Sequence, residues 1–231
     1  MSSLDALTWE DFSPDAPVAE LDGMHLWSVQ ISDENAVCQS ADEASRSQAI
    51  QDERTRGNQA ASQGGLRRVL SAYCGEAPQD IAIERAVHGK PYLKNGPEFN
   101  LSHTRHQIFV IVSKHAVGLD IEAVDRPVRA VELARKFFGP EDQCLFDGLG
   151  ESAASALFLR LWVCKEAMVK LSGDGVYHGL RDARVILADG QIIGGEYRGR
   201  TVHLWTFQPT EGFLAAVASW EKEHVKCFFR L

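Results

Sequence analysis

Between Ser155 and Gly173 the chain reads SALFLRLWVCKEAMVKLSG, with Leu157, Leu161, Cys164, Met168 and Leu171 spaced 4, 3, 4 and 3 residues apart. Only an α-helix gathers such positions into one stripe, so the segment must lie against an apolar surface, and Gly173 and Gly175 end it. Charge interrupts this run: Glu166 has Lys165 beside it and Lys170 four residues on, with Trp162 one turn earlier. A Glu and Lys at that spacing usually make a surface pair contributing ~0.2–0.5 kcal/mol, so the pattern gains meaning only from what it meets in space.

A second pattern is AVGLDIEAV. Asp120 and Glu122 alternate with Leu119 and Ile121, so strand geometry puts both carboxylates on one face and the aliphatic pair in the core. Adjacent carboxylates raise each other's pKa unless a cation offsets them, and oxygen-only ligands suit magnesium. For an isolated D-x-E, an exposed polar face is the commoner explanation. Upstream, PEFNLSHT runs into QIFVIVS, and only Lys114-His115 separates that apolar run from AVGLDIEAV, which predicts a hairpin.

From Ser32 the chain lacks proline through Tyr73 and is rich in Ala, Gln, Glu and Arg, which suits helices. These deliver Arg54, Arg56, Arg67 and Arg68, read first as a solvated helix face. VRAVELARKFFGPEDQ has helical spacing up to about Gly139-Pro140, and ARVILAD, VHLWTF, FLAAVASW and VKCFFRL are strand-like. Strands in both halves with helices between them indicate an α+β fold.

A net charge of −8 disfavours nucleic acid as a main partner, since phosphate backbones are held by clustered Lys and Arg. The five cysteines form no CxxC pair and have no histidines at zinc spacing, which argues against disulfides and structural zinc. The N-terminus lacks the basic-then-apolar layout of an export signal, and the run Ile108 to Val112 is far short of the ~20 residues a membrane helix needs. A soluble cytoplasmic protein is expected, with no membrane partner.

Two loops could carry anion-binding groups. In HGKPYL, Lys90 sits between a glycine that admits close approach and a proline that stiffens the turn. Ser102 and His103, after Asn100-Leu101, offer a hydroxyl and an imidazole to a phosphate oxygen.

Taken in order, GKPYL, FNLSHT, VGLDIE, FFGPEDQ and WVCKEAMVKLSGDG resemble the 4'-phosphopantetheinyl transferase superfamily, in particular its monomeric Sfp-like class. The resemblance implies two similar α+β halves related by a pseudo-twofold axis, residues 1–116 and 117–231, with coenzyme A in the cleft between them. It implies a magnesium ion, or manganese in its place, on Asp120, Glu122 and Glu166. Lys90 matches the lysine on the 3'-phosphate of coenzyme A, Ser102 and His103 the residues near the adenosine, and Lys165 and Lys170 the lysines beside the diphosphate. One departure stands out: Asn58 and Gln63 occupy positions where this family commonly has arginines, leaving Arg54, Arg56 or Arg67 to meet the 3'-phosphate.

The activity implied is transfer of the phosphopantetheine arm from coenzyme A, the co-substrate, to a serine of an apo acyl or peptidyl carrier protein, releasing 3',5'-ADP. Glu166 would be the general base and Lys170 would stabilise charge on the phosphates. The carrier would dock on Arg126 to Phe138, where Arg126, Arg129, Arg135 and Lys136 surround Phe137 and Phe138; core packing of the two phenylalanines accounts for them equally well. Two rival functions fit the same carboxylates: a magnesium-dependent phosphohydrolase, and a noncatalytic module binding coenzyme A or a carrier.

Overall fold

The computed structural model describes residues 9–11, 17–18, 20–104, 107–175 and 179–230, with backbone alone for residues 10, 11, 107 and 226–230. The N-terminal stretch from which no export signal is expected lies mostly outside the described residues. The fold is α+β, and the chain divides into two compact units. One holds the described residues up to Glu84, with Pro91–Lys114 and those from Glu223 onward; the other holds Arg85–Lys90 and His115–Lys222.

In the first unit the short strand β1 (Glu10–Asp11) and β2 (Met24–Val29) precede three helices, α1 (Asp33–Ala36), α2 (Ala41–Gln48) and α3 (Glu53–Cys74). The helix-prone stretch breaks into three because it contains three N-caps. Ser32 accepts from the Asn35 amide, Asp52 from the Thr55 amide at 2.7 Å, and Ser40 and Glu43 form a reciprocal capping box. The ribbon β3 (Ile83–Arg85) and β4 (Pro91–Leu93) follows, then β5 (Glu98–Thr104) and β6 (Gln107–Ser113). Helix α3 buries Leu66, Val69 and Leu70 against Trp27, Phe99 and Val110 of the sheet.

The second unit contains β7 (Val117–Ala123), α4 (Ala130–Phe137), α5 (Pro140–Gln143), α6 (Glu151–Ser172), β8 (Ala183–Ala188), β9 (Gln191–Tyr197), β10 (Arg200–Phe207) and β11 (Phe213–Ser219). Its five strands run in the order β7-β11-β10-β9-β8, each antiparallel to its neighbour. The last strand, β12 (Val225–Arg230), completes the first unit's sheet, ordered β1-β12-β2-β6-β5.

The hairpin expected between QIFVIVS and AVGLDIEAV does not form. Both edges of β6 are already taken, by β2 and β5, and β7 pairs instead with β11 from Val117↔Ser219 to Ala123↔Phe213. The hairpin partner of β6 is β5, through Glu98↔Ser113 to Thr104↔Gln107. Helix α6 is the predicted one, ending at Gly173, whose φ of 80° is the left-handed cap. It is more enclosed than a single stripe implies: Phe158, Leu159, Val163, Ala167 and Val169 are buried beside Leu161, Cys164, Met168 and Leu171. The sheet takes one side of α6, and Phe138, just past α4, stacks on Phe158 at 5.3 Å on another. Among the described residues no helix is long and apolar enough to cross a membrane.

The arginines of α3 do not form one solvated face. Arg54 is exposed, whereas Arg67 is buried, bonded to Glu43 Oε2 at 2.6 Å, to Ile81 O at 2.7 Å and to Pro78 O at 3.0 Å. Arg67 is therefore a structural cation, withdrawn from any phosphate. Burial opposes ionisation of Glu43, but Arg67 and the Ser40 backbone amide outweigh it and hold the carboxyl below its ordinary range. Breaking such a pair strands a buried charge. Arg67→Met is expected to cost about 3–5 kcal/mol in urea unfolding, and the Glu43→Leu/Arg67→Met double variant to recover most of that loss.

Candidate active site

Gly118, Asp120 and Glu122 share one face of β7, and α6 lies on that face. The approach is close because residue 118 has no side chain: a Cβ there would fall 2.0 Å from Ala167 O and 2.5 Å from Leu171 N. With Ala167 and Leu171 seated on the glycine, Glu166 and Lys170, one position earlier in each turn, come over the two carboxylates. Lys170 Nζ lies 2.6 Å from Asp120 Oδ1 and 3.8 Å from Glu166 Oε2. From the turn after β7, Arg126 donates to Glu122 Oε1. The D-x-E face is covered rather than exposed, with Asp120 only 4% accessible.

Three carboxylates thus share two cations, Lys170 and Arg126. Burial, then repulsion from Asp120 and Glu122, pushes the Glu166 carboxyl up to about 7, against the pull of Lys170 and Arg126. Burial likewise raises Glu122, opposed by its bond to Arg126. Burial works against the Lys170 ammonium, yet Asp120, Glu166 and Glu122 outweigh it and hold its pKa above the usual lysine value. Carboxylate oxygens with a surplus of negative charge fit a hard divalent cation. Among the described residues no three acidic, His or Cys side chains stand ready as a ligand cage, and Lys170 and Arg126 are bonded to Asp120 and Glu122.

The other predicted site residues are distributed differently. Lys165 is fully enclosed: its ammonium pairs with Asp142 at 2.5 Å, donates to the carbonyl of Ala183 and sits 4.8 Å above the Phe138 ring. Burial pulls its pKa down and Asp142 partly restores it. In this position it ties α6 to α5 and β8 and does not face an anion site. Lys90 donates to Leu171 O at 2.9 Å and Val117 O at 3.3 Å, at the end of α6. Ser102, His103, Arg54 and Arg56 belong to the other unit; Ser102 is buried, His103 and Arg54 are exposed, and Arg56 donates to Ile50 O at 3.1 Å. Burial raises the Cys164 thiol to about 12, which removes it as a nucleophile.

Sequence reasoning missed the part that three residues play here, and it reads Arg126 only as a docking cation. Gly118 lay inside the quoted VGLDIE, where a glycine in a strand signals close backbone approach. Asp142 lay inside FFGPEDQ, with no local sign that it would meet Lys165. Arg126 follows Glu122 by four residues across a turn closed by Arg126 N to Ala123 O at 3.2 Å, a spacing that periodicity rules do not cover.

The model of the 4'-phosphopantetheinyl transferase superfamily matches residues 116–222, the stretch that carries the whole carboxylate cluster. Over 182 residues the chain is 31% identical to the 4'-phosphopantetheinyl transferase HetI of a Nostoc species, covering 73% of this chain and 76% of that protein. The chain belongs to the 4'-phosphopantetheinyl transferase superfamily. It is an enzyme of this type, similar also to the 4'-phosphopantetheinyl transferase psf-1 of Bacillus pumilus, with 33% identity over 129 residues and 54% of each chain covered. Likeness to the 4'-phosphopantetheinyl transferase Sfp of Bacillus subtilis is 28% over 130 residues, covering 55% of this chain and 57% of that one. The chain therefore spans little more than half the length of these two Bacillus relatives.

The crowded carboxylates of this transferase make its stability depend on pH in a definite sense. Glu166 is raised from 4.5 to about 7, so across that window the folded state holds a proton the unfolded chain has released, and stability is lost as pH rises. In metal-free buffer, Glu166→Gln is expected to match the parent in urea unfolding near pH 5 and to exceed it by about 1–3 kcal/mol near pH 8.

Proposed function

We propose that this transferase moves the phosphopantetheine arm of coenzyme A onto a serine hydroxyl of an apo acyl or peptidyl carrier protein and releases 3',5'-ADP. The observation that carries this reading is the convergence of Asp120, Glu122, Glu166 and Lys170 on one buried face, within the segment that matches the superfamily. Asp120, Glu122 and Glu166 would hold magnesium, or manganese in its place, and the ion would supply positive charge to the diphosphate oxygens.

The protein's own groups do the rest. The carrier serine oxygen attacks the β-phosphorus, the new P–O bond forms, and the diphosphate bridge breaks with its oxygen leaving on 3',5'-ADP. The serine proton would go to Glu166, a carboxylate with a second oxygen beside the one offered to the ion. Lys170 Nζ turns from Asp120 to charge developing on the phosphates. Lys90 would exchange its carbonyl partners for 3'-phosphate oxygens. The roles of Ser102, His103, Arg54 and Arg56 toward coenzyme A rest on the motif match alone, and Lys165 is assigned to holding α6.

Carrier docking is placed on α4 and its flanks. Arg126, Arg129, Val128 and Leu133 line a groove of about 460 Å³, and Val131 and Arg135 line another of about 450 Å³. Arginines beside Val128, Val131 and Leu133 suit an acidic carrier helix, with Glu132 and Glu151 sharing the first groove and Asp147 the second. Phe138 is fully buried and Phe137 packs edge-on to Trp162 at 5.6 Å, so the two rings serve packing, while Arg129 pairs with Glu132 at 3.2 Å and Arg126 with Glu122, pairs that an acidic carrier would replace. Reversing Arg129 and Arg135 to Glu is expected to raise the carrier KM about tenfold or more with kcat retained. An unchanged KM removes this surface.

The reaction itself is read from the intact mass of an apo carrier incubated with enzyme, coenzyme A and magnesium. The carrier is expected to gain one phosphopantetheine, with rates at least about 100-fold lower for Asp120→Ala and Glu166→Gln. Free phosphopantetheine in place of modified carrier would mark a hydrolase instead.

A further inference from the structure

The bond from Arg126 takes up acceptor capacity of Glu122 Oε1 and sets a positive charge beside it, and both weaken that oxygen as a ligand for a metal ion. Arg126 Nη1 is bonded to Glu122 Oε1, and the Glu122 side chain is only 13% accessible whereas that of Arg126 is 43% accessible. The carboxylate is fixed in the strand, beneath α6, while the guanidinium reaches it from the turn at residues 123–126. Arg126 also lines the groove formed with Pro127, Val128, Arg129, Glu132 and Leu133, a volume of about 460 Å³ that can receive its side chain. Its charge is felt by Glu166 as well as by Glu122.

We infer that Arg126 is a resident counter-ion that competes with the metal for Glu122 and so sets the metal affinity of the site. Binding of the ion releases the guanidinium from Glu122 toward the adjoining groove. The two cations of the cluster differ in this respect. Lys170 is held by Asp120 and lies near Glu166, so its departure breaks contacts to two carboxylates, whereas Arg126 gives up one carboxylate and gains solvent. Arg126 is the cation that yields at lower cost, and the first carboxylate made available to an ion is Glu122. This inference rests on the reading of Asp120, Glu122 and Glu166 as metal ligands, and its test separates the two.

The measurement is Mn²⁺ binding by electron paramagnetic resonance on the full chain, for the parent, Arg126→Gln, Arg126→Lys and Glu122→Gln, without coenzyme A or carrier. Arg126→Gln is expected to bind Mn²⁺ about three- to tenfold more tightly, because an attractive rival and a repulsive charge are both removed, and Arg126→Lys to fall between it and the parent. Because Arg126 is partly exposed, the difference should shrink as salt is raised from about 0.05 to 0.5 M, which a merely structural role would not produce. Equal affinities in the parent and Arg126→Gln, with binding weakened by Glu122→Gln, overturn the competition and leave the metal reading standing. Absence of Mn²⁺ binding in both the folded parent and folded Arg126→Gln overturns both.

Discussion

Everything in the carboxylate cluster depends on the backbone of α6 lying against Gly118. Any side chain at that position would meet Ala167 O and Leu171 N and hold the helix off the strand. Because the helix sinks, residues 166 and 170 come within reach of residues 120 and 122, and a lysine ammonium settles 2.6 Å from a buried aspartate. The chemistry is thus a consequence of packing. Without a rigid, enclosed α6, Lys170 would have the rotamer freedom of an exposed lysine and Asp120 would be solvated.

Neighbouring residues on α6 meet opposite fates, and the geometry explains why. Lys165 and Glu166 are separated by about 100° around a helix, so when Glu166 faces β7, Lys165 faces α5 and β8. There it finds one carboxylate, Asp142, and backbone carbonyls, giving a buried pair neutralised one to one. Arg67 and Glu43 form a second such pair in the other unit, also with carbonyls taking the remaining donors. The β7–α6 cluster breaks this pattern. Among the described residues its carboxylates outnumber its cations, and burial first, then that excess of negative charge, raises the Glu166 carboxyl. Buried ion pairs alone do not distinguish architecture from function in this molecule; imbalance of charge does.

The sequence made α6, the alternation in β7 and the α+β class legible because each depends on local periodicity. Leu119 and Ile121 point into the core as alternation requires, and α6 stops at the glycine that predicts its end. What could not be read was pairing. The polar break Lys114-His115 resembles a hairpin turn in composition, yet whether β7 pairs with β6 depends on β2 and β5 having claimed both edges of β6, which is non-local. The same limit hid the partners of charged side chains. Arg67 and Lys165 look like surface cations by residue type, and only the positions of Glu43 and Asp142, 24 and 23 residues away, turn them inward. The ordered motifs compensated where physics was silent, since Glu166 and Lys170 on their own spacing were an ordinary surface pair.

The two lysines left near the cluster share the C-terminal end of α6, and this location follows from helix electrostatics. The last turn of a helix presents carbonyls without amide partners and a partial negative charge, a setting that favours cations. Lys170 lies in that last turn, and Lys90, from the Arg85–Lys90 segment, donates to the carbonyl of Leu171 and to that of Val117 on the adjoining strand. One lysine comes from the helix and one from a distant loop; the carbonyl end of α6 holds Lys90, and Asp120 with Glu166 holds Lys170. The Lys90 ammonium is held by carbonyls that carry only partial charge, whereas that of Lys170 lies between two carboxylates, Asp120 and Glu166. A fully charged phosphate oxygen offers Lys90 a stronger partner than those carbonyls, so the arrangement that satisfies it in the free protein is also one from which an anion can draw it.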